Sequence, residues 1–151
     1  MKNSDRSINN KIIYDKYFES IYADSNILTE LQYEKASEQF DFYYKKILPH
    51  DYSAKILDVG CGTGQFLYYL KKKGFKDIFG IDISEQQVEY CRKNITERVK
   101  KIDAFEFLNG KDQFYDLMAV HDVLEHIPKT KTLVFLNSIR NSLKNNGVLF
   151  A

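Results

Sequence analysis

Residues 55–64 read KILDVGCGTG, an apolar run that closes on Asp58 and then places Gly60, Gly62 and Gly64 at every second position. Residues without a Cβ at that density either turn the chain sharply or let another group approach bare backbone. The run before them has the length and composition of a buried strand. The run after them, GQFLYYLKKKG (64–74), sets Phe66, Leu67 and Leu70 on one helical face and ends at Gly74. Strand, glycine turn and helix therefore follow one another without a linker.

The same unit repeats downstream. DIFGID (77–82) reads as a second strand, and Ser84 with Gln87 resembles a capping box opening a helix over EQQVEYCRKN (85–94). RVKKID (98–103) is a weaker third strand. YDLMAVHDVL (115–124) is a fourth, running into a turn and then a helix over about residues 130–143, and NNGVLFA (145–151) begins a fifth. Strands alternating with helices need crossover connections, so the expected fold is α/β: a doubly wound, mostly parallel sheet with helices on both faces. Upstream, residues 12–48 are rich in Tyr, Phe, Glu and Lys and contain neither Gly nor Pro. There Phe40, Tyr43, Tyr44, Ile47 and Leu48 recur at helical spacing. Residues 1–50 are accordingly read as an N-terminal helical segment and residues 51–151 as the core of one domain.

Composition bounds the function. The chain has 151 residues, enough for one core, and 22 basic against 21 acidic side chains give a formal net charge of +1. Nothing in that balance steers it to nucleic acid. Cys61 and Cys91 are too few for a disulfide framework and lack zinc-site spacing, so reduced thiols and no metal are expected. No stretch has the length of a signal peptide core or a membrane span, and a cytoplasmic protein is expected.

In an open parallel sheet, ligands bind beyond the carboxyl ends of the strands where the strand order reverses, which is where Gly60–Gly64 fall. A dinucleotide turn, G-x-G-x-x-G, needs a glycine at position 65, which is Gln65; a phosphate-binding P-loop needs Gly-Lys-Ser/Thr, and Gly64 is followed by Gln65 and Phe66. The pattern present is D-x-G-x-G-x-G. ILDVGCGTG resembles the first motif of the class I S-adenosylmethionine-dependent methyltransferases. At the matching intervals IFGIDIS is similar to that family's acidic second-strand motif, KKIDAFEF to its third-strand motif and YDLMAVHDVLEHIP to its fourth strand and continuation. The resemblance covers about residues 52–151. It implies a Rossmann-like sheet of order 3-2-1-4-5, S-adenosylmethionine as cofactor with S-adenosylhomocysteine as product, and methyl transfer to a small molecule, with a sugar or other metabolite hydroxyl as the leading acceptor. A cofactor-binding module without turnover of its own and a nicotinamide-dependent oxidoreductase are the alternatives, the latter disfavoured by the glycine spacing.

Adenosylmethionine has no phosphate, so its site needs a methionine end, a ribose clamp and an adenine slot. Asp82, with Ile83 beside it, is positioned to accept both ribose hydroxyls through its two carboxylate oxygens; capping the following helix is its other reading. The resemblance implies that Asp58 helps hold the cofactor's amino group, that Gly60, Gly62 and Gly64 give close backbone approach with Cys61 packing between them, and that Asp103 and the backbone of Ala104 read the adenine. His121 either faces the methionine portion, caps a helix or sits satisfied in the interior. Among Asp122, Glu125 and His126, His126 is the candidate general base, because histidine is the residue type whose ordinary pKa lies nearest neutrality, and pinning of the loop is its other reading. The resemblance makes Tyr14, Tyr17 and Tyr22 lid candidates, core packing of an aromatic stripe being their other reading. HDVL stands where an amino-methylating enzyme of DNA has NPPY. The family fold normally continues into a helix and an antiparallel hairpin. The expectation is therefore that the hairpin is missing here and that the bare fifth-strand edge favours self-association.

Overall fold

The computed structural model describes residues 30–151. In chain order these form α1 (Glu30–Tyr44), β1 (Lys55–Val59), α2 (Gln65–Lys73), β2 (Asp77–Asp82), α3 (Glu85–Asn94), β3 (Val99–Lys101), α4 (Ala104–Leu108), β4 (Tyr115–Ala119), a 3-10 turn (Leu124–His126), α5 (Thr132–Ser142) and β5 (Leu143–Phe150). All five strands run parallel in the order β3-β2-β1-β4-β5, the order the glycine motif implied. Strand order reverses between β1 and β4. Among the described residues, no helix is long and apolar enough to cross a membrane.

Alternation along each strand divides the core. Ile56, Ile78, Leu117 and Ala119 point to the face covered by α1, α2 and α3; Leu57, Val59, Ile81 and Met118 point to the face covered by α4 and α5. Leu57, Leu67, Leu70, Leu117 and Met118 are fully buried, each contributing about 1.5–3 kcal/mol relative to exposure. The local signals hold in detail. Gly74 ends α2 in the left-handed region (φ 97°), with its N–H on the Lys71 carbonyl at 3.0 Å and the Phe75 N–H on the Leu70 carbonyl at 3.1 Å, the paired bonds of a glycine helix stop. Ser84 Oγ accepts the Gln87 N–H at 3.4 Å and opens α3.

Two details depart from the sequence reading. Along α1 the inward stripe is Tyr33 and Ser37, which are buried, with Phe40 and Tyr44, which are partly buried, whereas Tyr43 and, just beyond the helix, Ile47, both expected on the same face, are exposed at 65% and 51%. The helix is rotated so that its aromatic stripe meets Phe66 and Tyr69 of α2, with Phe40 lying 5.1 Å from Phe66 and 5.8 Å from Tyr69 between ring centroids. β5 also starts earlier than expected, directly after α5, because Tyr115 pairs with Leu143 and Leu117 with Val148, so a bulge takes up the extra residues between. Lys144 folds back from that bulge onto Asp116 at 2.8 Å. Among the described residues β5 pairs with β4 alone and forms one edge of the sheet. Tyr14, Tyr17 and Tyr22 lie outside the described residues.

Candidate cofactor site at the carboxyl end of the sheet

β1 and β2 lie in register from Lys55↔Asp77 to Val59↔Ile81, so Asp58 and Asp82 finish adjacent strands at the same end. The glycine turn leaves β1 there and folds over the end of β2. Gly60, Gly62 and Gly64 all have positive φ, 72°, 53° and 87°. The Gly60 and Cys61 N–H groups both donate to the Ile81 carbonyl, at 2.8 and 3.0 Å, and Gly64 donates to the Cys61 carbonyl at 2.8 Å. Gly62 N–H donates to Asp82 Oδ2 at 2.9 Å, and Asp82 Oδ1 accepts from Ser84 at 2.8 Å. The turn therefore spends these donors on its own neighbours. Four of its N–H groups are thereby withheld from a phosphate.

The glycines also answer to the protein itself. A Cβ on Gly60 would lie 2.3 Å from Val123 Cγ2, and one on Gly64 would lie 2.4 Å from Cys91 Sγ. Close approach is real, but at these two positions the approaching group is the β4 loop and helix α3. At Gly62 the neighbour is the end of the Gln87 side chain, 2.7 Å away, which can move.

Asp58 is 3% exposed and no hydrogen bond reaches its carboxylate among the described residues. Burial, reinforced by the charge of Asp82, pushes its pKa up to about 8. Burial raises Asp82 too, against the opposing hydrogen bonds from Ser84, Gly62 and Ile83. A buried, donor-less carboxylate beside a second carboxylate suits a cationic ligand and repels an anion. Cys61 is buried beside the Cys91 thiol. A hydrogen bond with Cys91, burial and the nearby Asp58 and Asp82 hold the Cys61 thiol well above the usual range, so it packs and does not attack.

The third strand brings Asp103 to the same end, since the Ile102 N–H donates to the Asp82 carbonyl at 2.9 Å. Asp103 caps α4, with Oδ1 accepting from Phe105 at 2.8 Å and Glu106 at 3.3 Å. Ala104 is the first residue of that helix, and Ile83 is exposed beside Asp82. His121, just past β4, is drawn into an aromatic box. Its ring lies 5.0 Å from Phe66, 5.4 Å from Tyr44 and 5.6 Å from Phe40, with Nε2 2.9 Å from the Tyr44 hydroxyl. Burial lowers its pKa against the pull of Asp122, favouring neutral imidazole. Asp122 follows in the left-handed region, φ 53°, an uncommon conformation for a residue with a side chain. His126 closes the 3-10 turn on the exposed rim, its backbone N–H on the Val123 carbonyl at 3.0 Å. The sequence reading gave no site role to Tyr33, to Tyr44, which it placed only on the helical stripe with Phe40, or to Gln87, which it read only as the partner of Ser84 in a capping box.

A five-stranded parallel sheet of order 3-2-1-4-5 with an acidic, glycine-rich turn at the switch point defines the class I S-adenosylmethionine-dependent methyltransferase fold. Residues 57–151 match the family described as methyltransferase domain, and the chain belongs to that family. It is 32% identical over 110 residues to the ubiquinone biosynthesis O-methyltransferase of Pasteurella multocida strain Pm70, covering 64% of this chain and 44% of that protein. Over 100 residues it is 33% identical to the carboxy-S-adenosyl-L-methionine synthase of Campylobacter hominis, covering 64% and 42%. Among solved structures, the plantazolicin methyltransferase BpumL in complex with S-adenosylhomocysteine superposes with a TM-score of 0.60 at 25% identity, over 90% of this chain and 50% of that one. The chain thus spans less than half the length of these two curated relatives. Nothing in these likenesses supports the nicotinamide alternative.

Proposed function

We propose that the protein binds S-adenosylmethionine across the carboxyl ends of β1, β2 and β3 and transfers its methyl group to a hydroxyl of a small molecule. The observation that carries the reading is the pairing of Asp58, buried without a donor, with a turn whose Gly60, Cys61, Gly62 and Gly64 N–H groups are already engaged. Such a site suits a ligand that is cationic and lacks phosphate. Asp58 would receive the ammonium of the methionine end. Asp82 accepts the Gly62 N–H on Oδ2 and the Ser84 N–H on Oδ1, and its carboxylate would also accept the ribose hydroxyls. Asp103 keeps an oxygen that caps nothing, free to accept the adenine amino group. The cofactor's sulfonium supplies an activated methyl carbon, and the chain's task is to align it with an acceptor.

Asp82→Ala is the direct test. Loss of charge-assisted hydrogen bonds worth about 1.5–3 kcal/mol should weaken adenosylhomocysteine by about tenfold to a hundredfold in a calorimetric titration. Unchanged affinity in a folded variant would remove the ribose clamp.

The O-methyltransferase relative supports an oxygen acceptor, and a neutral hydroxyl has a proton to lose. His126, on the rim beyond β4, is our candidate base. In a protein that turns over, His126→Ala should lower kcat by about a hundredfold with cofactor affinity intact, whereas parallel losses in both would mark a loop that has lost its shape. The synthase relative favours a second reading, chemistry on the cofactor itself. Mass analysis of the nucleoside product separates the two, since methyl transfer leaves adenosylhomocysteine and modification of the cofactor does not.

A further inference from the structure

Helix α1 touches the cofactor end of the sheet at two places. Near its start, Tyr33, 3% exposed, donates its hydroxyl to the carbonyl oxygen of Thr63 at 2.9 Å. Thr63 is itself buried and stands between Gly62 and Gly64, in the middle of the turn. The carbonyl that opens the α2 ladder belongs to Gly64, which accepts from Tyr68 at 2.8 Å. The Thr63 carbonyl therefore lies one residue outside that ladder, and a buried acceptor there needs a donor from elsewhere. Tyr33 is that donor. At the last residue of the helix, Tyr44 meets His121 Nε2 at 2.9 Å, just past β4, and stacks on Phe150 of β5 with ring centroids 4.3 Å apart. The two tyrosines are on one helical face, about 16 Å apart along the axis. They hold the two loops that flank the β1/β4 reversal, where a ligand of this fold enters.

We propose that α1 is a clasp on the cofactor site and that Tyr33 is a positioning residue. Its hydroxyl fixes the Thr63 peptide, and through it the Gly62 N–H on Asp82, so that adenosyl cofactor affinity depends on this contact from outside the α/β core. The proposal rests on the cofactor assignment above. By linkage, the ligand in turn tightens α1 on the core by the same factor by which the docked helix tightens the ligand.

The rest of the α1–α2 interface supplies the control. Tyr68 donates to Glu34 Oε1 at 2.7 Å, and Lys72 pairs with Glu34, joining the same two helices without touching the turn. Tyr33→Phe and Tyr68→Phe each delete one hydroxyl from that interface and keep the ring. Affinity for adenosylhomocysteine by calorimetry and amide exchange of residues 60–64 in the ligand-free chain are the two readouts. With the Thr63 carbonyl left buried and unpaired, Tyr33→Phe should weaken binding by about tenfold and speed exchange at Gly62 and Gly64. Tyr68→Phe should leave both within about twofold. Normal binding by Tyr33→Phe, or an equal loss in Tyr68→Phe, would overturn the positioning role. If Tyr33→Phe does not fold, Tyr44→Phe tests the other end: weaker binding with unchanged exchange in the turn supports the clasp, and unchanged binding overturns it. A wild-type chain that binds no adenosylhomocysteine defeats the cofactor assignment instead, and the exchange comparison then decides by itself whether Tyr33 holds the turn.

Discussion

Gly60→Val should lower the stability of the domain by about 2–5 kcal/mol, a large share of the 5–15 kcal/mol that ordinary domains possess. Two costs combine. A side chain at φ 72° adds about 1–2 kcal/mol of left-handed strain. The new Cβ would also stand 2.3 Å from Val123 Cγ2, and overpacking of this kind costs about 1–3 kcal/mol because a β-branched neighbour has few rotamers to retreat into. Gly110 separates the two costs, since it has the same φ of 72° with nothing within 4 Å of a Cβ. Gly110→Val should lose the strain alone, so the gap between the two variants in urea unfolding measures the clash. Equal losses would mean that Val123 moves aside freely and that the turn is not wedged against the β4 loop.

That comparison shows how far the sequence could be read. The unit of β1, turn and α2 was legible because each of its signals is local: an apolar run, three glycines, a helical stripe and the Gly74 stop. Strand order followed from the family resemblance carried by those same residues. What crowds the glycines was not legible, because Val123 and Cys91 are distant in the chain and only the folded sheet sets them against Gly60 and Gly64. Asp103 shows the same limit at shorter range. The residue was found, but its N–H partners in α4 make it a helix cap first, a use that its loose motif did not distinguish. On α1 the pattern announced a helix, whereas its rotation depended on α2: Tyr33 and Phe40 turn inward because Phe66, Tyr68 and Tyr69 offer an aromatic surface, and Tyr43 is left outside.

Asp58 makes the widest claim on solution behaviour. Its carboxyl, with an ordinary value near 3.9, is raised to about 8 by burial and by Asp82. Between those limits the folded chain keeps a proton that the unfolded chain has released. Protonation then favours the fold, and this contribution is complete below about pH 4 and is lost as pH rises through about 8. Stability should therefore fall by up to about 1.4 kcal/mol per pH unit from pH 5 to 7, after allowance for other titrating groups, and Asp82, raised in the same direction, adds to the trend. Asp58→Asn should flatten this slope, because an amide has nothing to ionise. Ligand binding should show the opposite dependence. A cationic methionine end needs Asp58 charged, so each binding event below pH 8 expels a proton, and affinity for adenosylhomocysteine should rise up to about tenfold per unit between pH 5.5 and 7. Titrations in buffers of different ionisation enthalpy count that proton directly. Close to one proton released by the wild type and none by Asp58→Asn would place the cation on Asp58. An unchanged proton count in the variant would assign the titration to another group and remove Asp58 from the amino-group contact.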